Sequence, residues 1–549
     1  MSATLIAPET VSREQLRTFH LSGHGLEGML PASGLKPSLT DDTLRGLPQL
    51  ELVYPVWITP GKPPAPNVPG NEGFPAPFSA ASLPLIHGAF LAAGRASARA
   101  AFLQSLRQAI ASLADLIAVD DAKRRPASLD NVAASLGEAQ RFLSVGRLMS
   151  VFGRHGNQPA GMDAQRRLRC EAALTALEEA LYTHQSAPSF WLFSSGESPV
   201  DLSAAGGRVC QSTDPCSDAL AFVNQQLFDF AIVLRALRLA KLEAVNAYDS
   251  ATHDEALARF DWQTAEPGEI AALPTVVVLE SAERLEAASL TSFSRLLRSG
   301  RPVQLLIPSS GLCAGDLTGS VADFGALALA HRGAFVLQTS MANWDHLAAG
   351  FTEMALTLHP AVAVVSVPAP GEAPETAWLQ ACLLSLSPAF PLFRYHPDLE
   401  GGWQERFRLL ESLPENDSVT PVDALLLSSR YRAHFRMIPP DAWDKEQLEL
   451  REFLRRYQSA PPLVIPFVNA LDDSGALRRL AVTRELVHLC FDRQRAAEML
   501  RVLAAKSPAP TAQAAVVPIE ANDSGIREAA AKDAYRRVLA LLADPQSLV

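Results

Sequence analysis

Apolar positions change rhythm along this chain, and the changes divide it. From residue 84 to 186 they recur at three- and four-residue spacing, in "HGAFLAAGRASARAAFLQSLRQAIASLADLIAV" and "LRCEAALTALEEALYTH". That period is helical and predicts an all-α block. From 187 to about 397 short apolar runs take over: "TVVVL" (275–279), "VQLLI" (303–307), "AFVLQTS" (334–340) and "AVAVVSV" (361–367). Helical patterns at about 282–299, 321–331 and 343–358 separate them. Strands alternating with such helices imply βαβ units and a parallel sheet. Unbroken apolar strands imply that both sheet faces are covered. The predicted fold is α/β, a doubly wound, mostly parallel sheet with an N-terminal all-α block and a C-terminal helical extension.

The flanks are less regular. Residues 1–83 mix short apolar runs with Gly and Pro. Their end, "WITPGKPPAPNVPGNEGFPAPFSAASL" (57–83), reads as a connector too poor in backbone donors for a regular element. Residues 398–506 are charged and helical in pattern, as in "DKEQLELREFLRRYQ". The tract 507–525 reads as a linker to a terminal helix, "IREAAAKDAYRRVLALLAD". The expected divisions are 1–83, 84–186, 187–397, 398–506 and 507–549.

Charge and cysteine usage narrow the function. A net charge of −11 over 549 residues argues against a nucleic-acid surface. No uninterrupted apolar run is long enough for a membrane span, and the start lacks a basic-then-apolar export pattern, so a cytoplasmic location is expected. The six cysteines include no CxxC pair and read as ordinary thiols.

Chemistry is expected in loops beyond the carboxyl ends of the strands. "FWLFSSGESPV" (190–200) ends a β-prone stretch in a small-residue turn with Gly196 and Glu197, a place where a phosphate or cofactor is often held. After "TVVVL" come Glu280, Glu283 and Glu286, without a glycine. After "VQLLI" comes "PSSGLCAGDLTGS", whose Gly311, Gly315, Asp316 and Gly319 could wrap a phosphate. That loop matches neither a P-loop nor GxGxxG. His331 reads as a helix-capping or surface histidine.

Four segments, in order, carry a resemblance. "FVNQQLFDFAIVLRALRLAKLEA" (222–244), "SFSRLLRSGRPVQLLI" (292–307), "ADFGALALAHRGAFVLQTSMA" (322–342) and "AFPLFRYHPD" (389–398) resemble stretches of pyruvate:ferredoxin oxidoreductases. The likeness is to that family's C-terminal thiamine-diphosphate-binding domain. It implies that "GESP" (196–199) matches the family's "CAGCGETP", whose two cysteines hold an iron–sulfur cluster and fall here at Leu192 and Ser195. It matches a third cluster cysteine to Cys210 and places the fourth near Pro368. One thiolate of four would remain, and a [4Fe–4S] cluster normally takes four. The family's magnesium-binding Asp and Asn fall at Ala282 and Gly315, leaving Glu280, Glu283 or Asp316 as substitutes after a register shift. Residues 1–186 do not resemble the pyrimidine-binding domain that completes such a site.

The resemblance thus implies a degenerate 2-oxoacid oxidoreductase-like subunit, without its own cluster or thiamine diphosphate. Such a chain would act through a partner protein, a homodimer or another oxidoreductase subunit. The alternatives are an active thiamine- and magnesium-dependent subunit completed by another chain, and a module binding a phosphorylated ligand on the 308–320 loop.

Overall fold

The computed structural model describes residues 13–22, 35–38, 56–58, 74–76, 79–124, 129–148, 150, 161–196, 201–309, 323–367, 374–410, 419–443, 446–457, 464–472 and 474–504. Residues 1–504 form one compact unit and 505–549 another, the latter outside the described residues.

The framework is an eight-stranded sheet. Its strands are β1 (Phe190–Ser194), β2 (Gly207–Gln211), β3 (Thr275–Leu279), β4 (Val303–Ser309), β5 (Phe335–Ser340), β6 (Ala361–Ser366), β7 (Phe393–Tyr395) and β8 (Phe407–Leu409). Their order is β8-β7-β5-β6-β4-β3-β1-β2, parallel from β5 to β2, with β7 and β8 antiparallel at one end. β3, β4, β5 and β6 are almost wholly buried, as their unbroken apolar sequences require.

Helices cover both faces. In chain order the helices include α1 (Arg13–Ser22), α2 (Leu83–Arg124), α3 (Ala164–Ser186), α4 (Pro215–Ala244), α5 (Leu290–Arg298), α6 (Phe324–Ala330), α7 (Trp344–Leu356), α8 (Pro374–Leu386), α9 (Leu450–Arg456) and α10 (Arg484–Ala504); α2 to α8 pack on this sheet, and α1 and α9 on a second, smaller one. Several start where side chains accept first-turn N–H groups: Asp214 for α4, Asp323 for α6 and Asn343 for α7. One core packs α3 to α6 against Phe193, Val276, Val278, Leu305 and Val362. The opposite core packs α7 and α8 against Phe190, Leu192, Val277, Leu306 and Leu337.

The predicted all-α block is helical but is not a separate body. In α2, Leu83 to Leu91 belong to one core, while Phe102, Leu106, Ala109 and Leu113 belong to the other. Between them Arg95 donates to the carbonyls of Ala355 and Thr357, and Arg99 to those of His184 and Ala187. Those carbonyls end the helices that precede β6 and β1, so α2 crosses the amino ends of the strands. Its apolar stripe needs both sheet faces for burial, which the local periodicity could not reveal. By length and composition alone, α2 and α4 are each apolar enough to cross a membrane; here both line the sheet's cores.

Two further expectations are corrected. The segment read as a donor-poor connector contains an antiparallel pair, Val56–Ile58 with Phe74–Ala76. A three-residue ladder needs few donors, and Pro75 is compatible with such an edge. The region read as a helical extension holds a second sheet. Its strands are β9 (Phe435–Ile438), β10 (Gln447–Glu449), β11 (Ile465–Leu471) and β12 (Leu477–Val482). β11 pairs antiparallel with β12 and β12 with β9, and the short strand Lys36–Pro37 adds to β11. Within the region read as helical, the stretch "RRLAVTRELVHL" splits: its residues up to Val482 belong to β12, and α10 starts at Arg484.

Candidate functional site

The strand order sets the site. From β1 the chain proceeds to β2 on one side, and from β3 to β4 on the other. Connections diverging from neighbouring parallel strands leave a crevice at their carboxyl ends. Ser194 pairs with Leu279 at the ends of β1 and β3, so Ser195 and Glu280 are the first residues beyond.

Glu280 is buried, its side chain 1% exposed. Its backbone N–H still donates to the Leu306 carbonyl of β4, 3.2 Å away, which fixes its position. Oε1 accepts from Ser195 Oγ at 2.9 Å, from its neighbour Ser281's N–H at 3.2 Å, and lies 3.2 Å from Arg284 Nε. Oε2 is buried without a hydrogen-bond partner. Ser281 also caps the helical turn that carries Arg284. The small-residue turn after β1 closes when the Gly196 N–H donates to Ser194 Oγ at 3.3 Å. A Cβ on Gly196 would meet nothing within 4 Å, so internal packing does not demand this glycine and the space beside it is open.

The start of α4 forms a third wall. Cys216 is buried, and burial followed by the charges of Asp214 and Glu280 pushes its thiol up to about 12. A thiol held that far above neutrality is no nucleophile. Asp214 caps α4 and also accepts from Ser292 Oγ.

The predicted site residues therefore separate. Glu280 and Gly196 meet in this crevice. Glu283 is half-buried on the turn that follows, without a described contact to Glu280. Glu197, Gly311, Gly315 and Asp316 lie outside the described residues. Among the described residues no group of three or more His, Cys, Asp or Glu side chains is placed to hold a metal ion. Magnesium takes one or two carboxylates completed by waters and phosphates; among the described residues Glu280 is the only predicted ligand placed in the crevice, and its Oε1 is already engaged by Ser195 and Arg284.

The cluster positions separate more sharply. Leu192 lies within the core on one face of the sheet. Cys210 pairs with Phe193, one residue on, and packs with it toward the opposite face. Successive strand residues point to opposite faces, so a cysteine at 192 could not share a cluster with Cys210. Ser195 is committed to Glu280. The described residues do not fit an iron–sulfur cluster. Cys170, Cys216, Cys382 and Cys490 are buried free thiols and Cys210 is half-buried. His331 follows the last turn of α6, with Nε2 3.4 Å from Ser294 Oγ, as a helix-end residue.

No family model matches the chain, and no curated protein matches it. Sequence reasoning missed Ser195 and Arg284 as partners of Glu280. The available signal was "ESAER", a carboxylate and a guanidinium four residues apart across a strand-to-helix junction.

Proposed function

We propose that this chain is a degenerate subunit of the 2-oxoacid oxidoreductase type, with the thiamine-diphosphate-binding fold but without its own cluster or cofactor. It acts through contacts with a partner protein. The observation that carries the reading is a mostly parallel sheet in which Leu192 of β1 and Ser195 of the turn after it stand where the resemblance puts two cluster cysteines. Single substitutions could not restore a cluster there. Glu280, the predicted magnesium ligand that lies in the crevice, has its Oε1 engaged by Ser195, Ser281 and Arg284, which supports the reading. Fold and function part company in this way when a site is lost and its scaffold stays.

A partner role is supported at the sheet's edge. β2 is a parallel edge strand with Val209 exposed. On α4, Phe228 and Ile232 are exposed one turn apart. Related assemblies pair such domains, and an inherited pairing surface is a ready interface. Calorimetric titration with thiamine diphosphate and Mg²⁺, beside a visible spectrum of anaerobically purified protein, tests the reading. No binding and no thiolate-to-iron absorption are expected. Micromolar, magnesium-dependent binding would overturn it and direct the search to a chain supplying the pyrimidine-binding half.

A further inference from the structure

We propose that the crevice between β1 and β3 binds the cationic nitrogen group, ammonium or amidinium, of a small molecule seated on Glu280 Oε2. The inference does not rest on the loss of cluster and thiamine.

The unpaired oxygen points to a ligand. Oε1 collects three donors, whereas Oε2 is buried with none. Buried acceptors are nearly always satisfied, so an exception at a cleft marks a group kept for something else. The location agrees, since open α/β sheets take ligands where their connections diverge. Gly196 and the serines at 194 and 195 keep the crevice wall small, with free space beside Gly196.

The sign of charge selects the ligand. Asp214, at the start of α4, lies within electrostatic reach of the buried Cys216, as does Glu280, so carboxylates outnumber cations among the described residues there. Arg284 is the one cation described in contact with Glu280; it reaches Oε1 and its side chain is 52% exposed. A phosphate would meet net negative charge. A bare divalent ion would lack a third side-chain ligand among the described residues. An ammonium or amidinium needs only one carboxylate oxygen and neighbouring hydroxyls, and charge-assisted bonds of this kind are the strong ones.

The test is thermal unfolding of the full chain with agmatine, which carries an ammonium and a guanidinium, a planar cation of the amidinium type, against n-butanol and against Mg²⁺ with inorganic pyrophosphate. Agmatine at ten times its Kd should raise Tm on the order of 2 °C, and the other two additives should not. Glu280→Gln keeps size and the Ser195 bond but loses the charge; it should weaken agmatine binding at least about tenfold, the scale of one charge-assisted bond. Glu283→Gln, a carboxylate next to the site, should retain the response. Arg284→Ala, which frees more of Glu280's charge, should strengthen it. No shift with agmatine, an equal shift in Glu280→Gln, or a preference for Mg²⁺-pyrophosphate would each overturn the proposal. Circular dichroism of Glu280→Gln separates loss of binding from loss of fold.

Discussion

Helix α4 has a buried glutamate in its last turn and another within electrostatic reach of its first, and they are provisioned differently. Glu243, 1% exposed, has both oxygens occupied. Oε2 accepts from Arg166 Nε at 2.7 Å and Oε1 from Arg169 Nη2 at 3.0 Å, while Arg169 also stacks on Tyr248. Glu280, 2% exposed, has one oxygen fully engaged and one empty. Burial alone therefore does not mark a functional carboxylate. A closed set of partners belongs to architecture, and Glu243 stitches α3 to α4. An open set leaves a capacity that the fold itself does not use.

The largest expected effect lies at the closed end. Glu243→Ala strands two arginines, each between a quarter and a third exposed. It should cost about 2–3 kcal/mol, at or just under the range for breaking a buried pair because the arginines retain some water. A fall in the guanidinium midpoint at constant m-value reads it. A loss under about 0.5 kcal/mol, the level of a surface pair, would make Glu243 no more structural than Glu280.

Protons supply the next effect, at the neighbouring junction of α2 and α3. The Met162 N–H, then Arg124 and Arg167, hold the Asp120 carboxyl down to about 2. Its folded pKa is depressed, so its stabilisation is complete above the ordinary aspartate value of 3.8 and is lost as pH falls toward about 2. Hydrogen exchange across residues 113–124 and 164–171 should stay slow at pH 5 and quicken below pH ~3, inside that window. Asp120→Asn should abolish the acid step. An unchanged step would assign it elsewhere.

At the open end the sign should reverse. Glu280→Gln removes a buried carboxylate whose Oε2 has no donor, and its ion-pair partner Arg284 is half-exposed and can return to water, so stability should be unchanged or rise by up to about 1 kcal/mol. A destabilisation beyond about 2 kcal/mol, the size of a broken buried pair, would show Glu280 to be as structural as Glu243 and end the contrast. The smallest effect is expected for Ser195→Ala, about 0.5–1 kcal/mol for one neutral donor to a carboxylate. If it exceeded the Glu243 effect, the hydroxyl would be the anchor of the turn after β1.

What the sequence made legible follows from how each part is buried. β3, β4, β5 and β6 lie between two helical layers, so their runs are apolar throughout and their ends fall within about two residues of expectation. The second sheet hid because its strands are studded with Arg436, Arg478 and Arg479; Arg436 and Arg479 stack on aromatic rings and Arg478 pairs with Asp472. A local signal was there: "LDDSGA" joins β11 to β12, with Asp472 accepting from the N–H groups of Ser474 and Ala476 and from Arg478. Gly475 takes a positive φ of 77° in that turn. At the site, a carboxylate after a strand was readable as Glu280. Its burial and its partner Ser195 were not, because β1 and β3 are 85 residues apart in the chain for that contact.

Helix α2 has a consequence for the order in which the molecule can be made. A rod of 42 residues, roughly 63 Å long at ~1.5 Å per residue, leaves the ribosome early. The surfaces that take up Leu83, Ile86 and Phe90 include Leu306, Phe335, Phe351 and Ala361, which are synthesised more than two hundred residues later. At ~5–20 residues per second that interval is on the order of tens of seconds. Throughout it, the nascent chain presents an apolar helix with no native place to go. Synthesis of this protein should therefore lean on a holding chaperone, and early termination anywhere before β6 should yield an aggregating fragment rather than a stable smaller fold.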